Sequence, residues 1–411
     1  MTFKTTLIAA ATFGLVCAAP FAAAAKDRAR DLGVPFQGET GPLNAITDVA
    51  GVEVGHSTII KGKGKLVRGK GPVRTGVTAI HPRGKDSLSP VFGAWFTLNA
   101  SGEMTGTTWL EERGLIDGPI LITNTHSVGV VRDAAVEWMV DKGWPASWHA
   151  PIAAETYDGG LNDINGFHVK TRHAMEAMRT ASSGPVEEGA VGGGTGMLCN
   201  RFKGGIGTSS RVIAHGEETY TVGVLVQCNY GARSDLKQIA SVPVSELQDA
   251  PIPCYENAAL RPEGAWSPVC TEGGAIDEAN APDGSIIIVV ATDAPLLPNQ
   301  LKRLIKRPSL ALGWLGAVSN DGSGDIFIAF STASAGELNE DEMSTGISMF
   351  PNNELSTLFN ATIHATEEAI VNAMVAADTM VGANTLKVFE LPEDKLREIM
   401  ATQARSIEAA L

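Results

Sequence analysis

Asp283–Gly284–Ser285–Ile286–Ile287–Ile288–Val289–Val290–Ala291–Thr292 is the stretch that decides how this chain folds. A turn dipeptide, Asp-Gly, leads into a serine and then an unbroken run of β-branched residues. The run has strand propensity and no alternation, so it predicts a strand buried on both faces. A hydroxyl at the first position of such a strand is held rigidly, and the turn before it admits solvent or substrate.

That placement suggests scission of the chain between Gly284 and Ser285. Ser285 would then become a new amino terminus. A free α-amine has a reference pKa of about 7.7–8.0, so much of it is neutral near pH 7.5 and can serve as a base for a nearby hydroxyl. Glycine before the bond tolerates the backbone distortion that attack on its carbonyl requires. Taken alone, the stretch fits a plain turn opening a core strand better, because Asp-Gly before a strand is a common turn signal.

The rest of the 411 residues narrows the choice. Residues 1–25 read as a secretory signal, with Lys4 as the charged start, Leu7–Ala18 as the apolar centre and Ala23–Ala24–Ala25 before the cleavage point. The expected product is a single domain over 26–411, periplasmic or secreted, split into 26–284 and 285–411. The apolar centre is too short to span a bilayer, so no membrane is expected as a partner. A formal net charge of −14 argues against nucleic acid as a partner. The one basic run, Lys61–Arg74, reads as a solvated loop. Of the four cysteines beyond the leader, Cys254 and Cys270 can close a small loop, whereas Cys199 and Cys228 read as free and buried.

Strand-like runs follow at Val49–Val54, Gly76–Ile80, Val91–Leu98, Ile120–Thr123 and Pro151–Thr156. Ser127–Asp141 has helical spacing, Gly166–Thr180 is a weaker helix, and Asp158–Asn165 reads as a polar loop. The glycine-dense segment Gly192–Gly196 and Lys203–Arg211 lacks the Gly-Lys-Ser/Thr of a phosphate cradle, so its glycines point to close backbone approach. Thr219–Gln227 alternates as a strand and leads to Asn229. Ala232–Ala281 reads as a long surface excursion, flexible enough to release a terminus at 285. Beyond the central strand come a helix over Pro298–Ala317 kinked at Pro308, a turn at Asn320–Gly322, a strand over Ile326–Phe330, a long helix over Asn353–Met380, a strand over Lys387–Leu391 and a helix opened by Pro392. This mixture without strict alternation predicts a layered α/β sandwich.

Several residues stand out chemically. Ser323 and Asp325 lie two apart at the mouth of a strand, so they share a face and can handle protons near Ser285. Asn229 at a strand end is a candidate oxyanion donor. Glu155 and Tyr157 flank Thr156 and point the same way in an extended chain, where Glu155 can hold a substrate ammonium. The eight histidines show no metal-ligand spacing, so neither metal nor cofactor is expected. There is no G-x-S-x-G.

Asn124–Gly129, Glu155–Gly159, Gly192–Met197, Lys203–Arg211, Asp283–Ser285 with Ala291–Pro298, and Gly322–Asp325 together resemble the DmpA-type peptidases, the self-processing L-aminopeptidase/D-esterases and β-aminopeptidases of peptidase family S58. The resemblance runs through nearly all of the chain after the leader. It implies a four-layer αββα sandwich, shared with ornithine acetyltransferases and similar in layout to N-terminal-nucleophile hydrolases. It implies Ser285 as nucleophile, Ser323 and Asp325 as its companions, Asn229 at the oxyanion, Tyr157 at the reaction centre and Glu155 on the substrate amine. Some members carry Glu where this chain has Asp325. The implied activity removes N-terminal α- or β-amino acids from small peptides, amides or esters. The large and small chains are expected to stay together, as a homo-oligomer of pairs. Two other readings differ in testable ways. An ornithine-type acyltransferase would carry threonine at the cut, and a non-catalytic binding protein would never split.

Overall fold

The computed structural model describes residues 26–277, 280–333 and 347–410. The expected leader, 1–25, lies outside them. In chain order the first strands are β1 (Glu53–Lys61), β2 (Val73–His81), β3 (Val91–Ala100), β4 (Leu115–Ile116), β5 (Ile120–Asn124) and β6 (Ile152–Thr156). Helices α1 (Thr107–Arg113), α2 (Val128–Asp141) and α3 (Thr171–Thr180) are interspersed with or follow them. Next come β7 (Leu198–Cys199), β8 (Phe202–Lys203), β9 (Gly205–His215), β10 (Glu218–Asn229), β11 (Gln238–Ile239), β12 (Val242–Pro243) and β13 (Cys254–Tyr255). The quoted run forms β14 (Ser285–Thr292), followed by α4 (Pro298–Leu304), α5 (Pro308–Leu315), β15 (Gly324–Ser331) and α6 (Leu355–Val375). The chain closes with β16 (Met380–Val381), β17 (Leu386–Val388) and α7 (Glu393–Ala410).

Two sheets stack between helices. One has the order β1-β2-β5-β6, the other β4-β3-β15-β14-β10-β9. The strand β14 shows why. All eight of its residues are buried. Its pleat sends Ile286, Ile288 and Val290 into a core shared with α6, and Ile287, Val289 and Ala291 into the core between the sheets. Burying each of its isoleucine and valine side chains is worth about 1.5–3 kcal/mol, which explains the absence of alternation. Helices α2 and α3 cover the outer face of the four-stranded sheet. This is the four-layer αββα class expected from the sequence.

Several expectations need correction. Val49–Val54 is a turn followed by a strand that starts at Glu53. The basic run is not all solvated: Arg74 is buried in β2, and its guanidinium donates to the carbonyls of Lys61, Gly62, Val73 and Val381. Pro308 does not kink one helix but opens a second, at its first position, where a missing N–H costs nothing. The polar loop after Tyr157 is buried. Asp158 is fully enclosed, with Asn162 donating to its carboxylate at 3.0 Å, and burial pushes its pKa up to about 7.

Cys199 and Cys228 are not free: they form a disulfide with Cα atoms 5.5 Å apart. The hairpin β7–β8 folds back beside the end of β10, a contact that hydrophobic periodicity does not reveal. Cys254 and Cys270, which the sequence left open, do pair, and closing a loop of that length stabilises by about 3 kcal/mol in the chain-entropy model. Nor is 232–281 a free excursion. Leu236, Ile239, Val244 and Leu247 enter the main core, and β13 pairs with β17.

Candidate active site

Strand β14 brings its neighbours together by register. Ser285 sits directly opposite Asn229 across the antiparallel β10 pair and opposite Gly324 across the parallel β15 pair. Directly opposed residues share a face, so Ser285 and Asn229 both point between the sheets. Both are nearly buried. The Gly324 N–H lies 3.3 Å from the Ser285 Oγ and 3.3 Å from the Gly284 carbonyl oxygen. The Ser285 hydroxyl and the carbonyl of the residue before it therefore meet at one backbone donor. Sequence reasoning missed Gly324, because a main-chain N–H leaves no mark on residue type.

Gly284 itself is required by crowding. A Cβ there would lie 2.2 Å from both the Asn229 carbonyl oxygen and the Tyr230 Cα. The turn is tied to the β15 entry as well, through the Gly322 N–H donating to Asp283 Oδ2 at 3.0 Å. Gly284→Ala should therefore push the bond off the Gly324 donor. Under the self-cleavage expected at Gly284–Ser285, the cutting rate should drop about 100-fold, the scale of an ångström's misplacement. Pulse-chase on denaturing gels measures it, and unchanged cleavage would show that the close approach does not matter.

The Ser323 hydroxyl donates to Asp325 Oδ1 at 2.8 Å, as the two-residue spacing predicts. Burial raises the Asp325 pKa, opposed by hydrogen bonds from Ser323 and Ser319. In the β14–β15 register Asp325 pairs with Ile286, whose side chain faces away from the Ser285 hydroxyl. The Asp325 side chain therefore lies on the face of the sheet away from the Ser285 hydroxyl.

Asn229 is fixed at both ends of its amide. Oδ1 accepts from the Leu198 N–H at 2.8 Å, and Nδ2 donates to the Tyr157 carbonyl at 2.9 Å. Tyr157, Asn229 and Gly284 line one cleft with Leu198 and Trp266. The strand β6 ends at Thr156, and there the two flanking residues part company. Glu155 is buried, whereas Tyr157 is 42% exposed. Burial raises the Tyr157 pKa, and the charge of Asp158 adds to that.

The Glu155 carboxylate accepts from the Glu103 N–H at 3.0 Å and from the Thr125 hydroxyl. Burial lifts its pKa above the usual glutamate range, against the lowering effect of those two donors. A Cβ at Gly102 would lie 3.1 Å from Glu155 Oε1 and 3.4 Å from the Gly324 Cα. Glu155 therefore reaches the Ser285 neighbourhood through the thickness of one glycine. Among the described residues no group of three or more His, Cys, Asp or Glu side chains is arranged to hold a metal.

Comparison with known proteins gives the family. Residues 44–388 match the model of peptidase family S58, a span that includes every residue named above. The beta-peptidyl aminopeptidase BapA of Sphingosinicella microcystinivorans is 55% identical over 386 residues, 93% of this chain and 94% of that protein. The BapA of Sphingosinicella xenopeptidilytica is 45% identical over 392 residues, 94% of each. The L-aminopeptidase D-Ala-esterase/amidase of Ochrobactrum anthropi, a serine aminopeptidase with a variant of the Ntn hydrolase fold, superposes with a TM-score of 0.80 at 42% identity. That superposition covers 92% of this chain and 99% of the other.

Proposed function

The chain belongs to peptidase family S58, and from that membership we propose that it is an exported serine aminopeptidase that generates its own catalytic amine by cutting between Gly284 and Ser285. The observation that carries this is the meeting of the Ser285 Oγ and the Gly284 carbonyl at the Gly324 N–H, opposite Asn229. In the first step Oγ attacks the Gly284 carbon and the residue-285 nitrogen leaves as an amine. Water then hydrolyses the resulting ester. The freed amine takes the hydroxyl proton in each later turnover and hands it to the leaving group. Ser323 and Asp325 adjust that amine. Asn229 supports the oxyanion, and Tyr157 borders the reacting carbonyl.

The substrate is a short peptide, amide or ester whose ammonium pairs with Glu155. We place β-amino acyl substrates first, because the 55% identical relative is a beta-peptidyl aminopeptidase. Export is supported by two disulfides, which persist in oxidising compartments. Continued association of the chains is supported by the six-stranded sheet. Its two central strands, β14 and β15, come from the small chain, and both their neighbours come from the large chain. N-terminal sequencing of purified, active protein tests the proposal. A fragment beginning Ser-Ile-Ile-Ile is expected, and active material without one would overturn self-cleavage. Assays on β-alanyl, L-alanyl and D-alanyl amides rank the substrates.

Glu155→Gln should raise KM for amine-bearing substrates about 10- to 100-fold, the worth of a charge-assisted hydrogen bond, with kcat little changed. The carboxylate must be ionised to hold an ammonium, and its pKa is raised. Wild-type kcat/KM should therefore fall with acid starting above the usual glutamate range. In Glu155→Gln that contribution should vanish and leave only the titration of the Ser285 amine, near its reference of about 7.7–8.0. An unchanged KM would remove Glu155 from the site.

A further inference from the structure

Lys203 is fully buried, yet among the described residues no carboxylate is a hydrogen-bond partner. Its Nζ donates to the carbonyls of Gly204 at 2.6 Å and Met197 at 2.8 Å, with the Gly194 carbonyl at 3.5 Å. Burying an ammonium without an acid is costly, and burial draws its pKa down to about 7. Packing alone would be served by methionine. The charge calls for another account.

The geometry of one peptide unit supplies it. The Met197 carbonyl and the Leu198 N–H belong to the same planar amide. Its oxygen is held by Lys203 Nζ and by the Gly204 N–H at 3.0 Å. Its N–H donates to Asn229 Oδ1 at 2.8 Å. The hairpin around it is stiff: Asn200 and Arg201 both have positive φ, 48° and 59°, as a two-residue type I′ turn requires. The Cys199–Cys228 disulfide ties the residue after Leu198 to the residue before Asn229. With Oδ1 committed to Leu198, the amide of Asn229 cannot flip. Nδ2 has two hydrogens. One goes to the Tyr157 carbonyl, and the other is left for the side facing Ser285.

We propose that Lys203 is a positioning residue for the Ser285 reaction, acting through two amides in series: its Nζ donor orients and polarises the Met197–Leu198 peptide, which fixes the Asn229 amide with a donor toward the oxyanion. Hydrogen bonds in a chain polarise one another, most of all in a low-dielectric interior. The Nζ donor at one end thus strengthens the N–H at the other. This rests on the proposed role of Asn229 at the oxyanion.

A double-mutant cycle tests it. Wild type, Lys203→Met, Asn229→Ala and the double variant are assayed with a β-alanyl or L-alanyl anilide, and kcat is normalised to the fraction of chain cut. Asn229→Ala should lower kcat about 100- to 1,000-fold, as removal of an oxyanion donor does. Lys203→Met should lower kcat about 10-fold or more, with KM within about two-fold, as expected of a misplaced catalytic group. The double variant should be no slower than Asn229→Ala, because the two act as one unit. Effects that multiply would overturn the relay, as would an unchanged kcat in Lys203→Met. If Asn229→Ala leaves kcat intact while Lys203→Met lowers it, the oxyanion role of Asn229 fails and the relay falls with it. If Asn229→Ala is slow and Lys203→Met is not, only the relay fails. Should Lys203→Met not fold, Lys203→Gln, whose amide nitrogen ends one bond short of the Nζ position, carries the same cycle and the same expectations.

Discussion

Ser285→Ala should yield one uncut polypeptide with no hydrolysis above background. Two functions are lost in a single atom. The Oγ that opens the Gly284–Ser285 bond is gone, so the residue-285 nitrogen stays an amide, and an amide cannot accept a proton at neutral pH. The same Oγ is the nucleophile toward substrate. Loss of a nucleophile that works as a unit with its base costs on the order of a million-fold in kcat. The fold should be indifferent. Among the described residues the Ser285 hydroxyl has one hydrogen bond, the long one from the Gly324 N–H, and the strand is held by the buried side chains that follow. The melting temperature should match that of wild type before processing. A denaturing gel and an anilide assay are sufficient. Two bands, or residual turnover, would mean that another hydroxyl opens the chain. Ser285→Cys makes a useful companion, since it keeps a nucleophile and should retain some cleavage.

How far the sequence discloses such a site depends on where the information lies. The burial of β14 on both faces is written in the run Ile286–Val290, because both layers demand apolar side chains. The Ser323–Asp325 bond is written in a spacing of two. Both signals are local and repeat along one element. The hairpin 198–203 has two-residue strands, too short for any period to register, and its disulfide depends on a long-range return to β10. Lys203 stands among glycines in a sequence with no helical or strand pattern, so nothing local marks it as fully buried. Asp158 and Asn162 look like a solvated loop by composition. They are enclosed because tertiary partners meet most of their polar atoms: Asn162 Nδ2 donates to Asp158 Oδ1, and Asn162 Oδ1 accepts from the Arg74 N–H. Polar residues inside a protein are explained by partners, and partners are set by tertiary structure.

The same reasoning gives the second large effect, which concerns Glu368. It lies on α6, in the proposed small chain, and its side chain is completely buried. It accepts from Arg211 at 2.7 Å, from Arg30 at 2.8 Å and from Asn44 at 2.6 Å, all in the proposed large chain. Burial alone would raise its pKa. The charges of Arg211 and Arg30 and the bonds from Arg30 and Asn44 outweigh that and hold it below the usual carboxylate range. Glu368→Ala leaves Arg211 buried without its acid, and breaking a buried pair from one side costs about 3–5 kcal/mol. In the uncut Ser285→Ala background this should appear as a lower urea midpoint. In cleaved enzyme the same loss falls on an interface between two chains. The small chain should then separate on gel filtration at urea concentrations where wild type stays whole. Acid should mimic the variant. A depressed carboxylate contributes stability that is complete above its unfolded pKa of about 4.5 and is lost as pH falls through its lower folded value. Wild type should accordingly loosen below about pH 4.5, and Glu368→Ala should show little of that dependence. Replacing Arg211 and Glu368 together with methionine should recover much of the midpoint, because the penalty arises from the unpaired charge and not from the missing attraction. An unaltered midpoint in Glu368→Ala would mean that Arg211 finds water or another acid when its partner is removed, and that the sheet alone holds the two chains together.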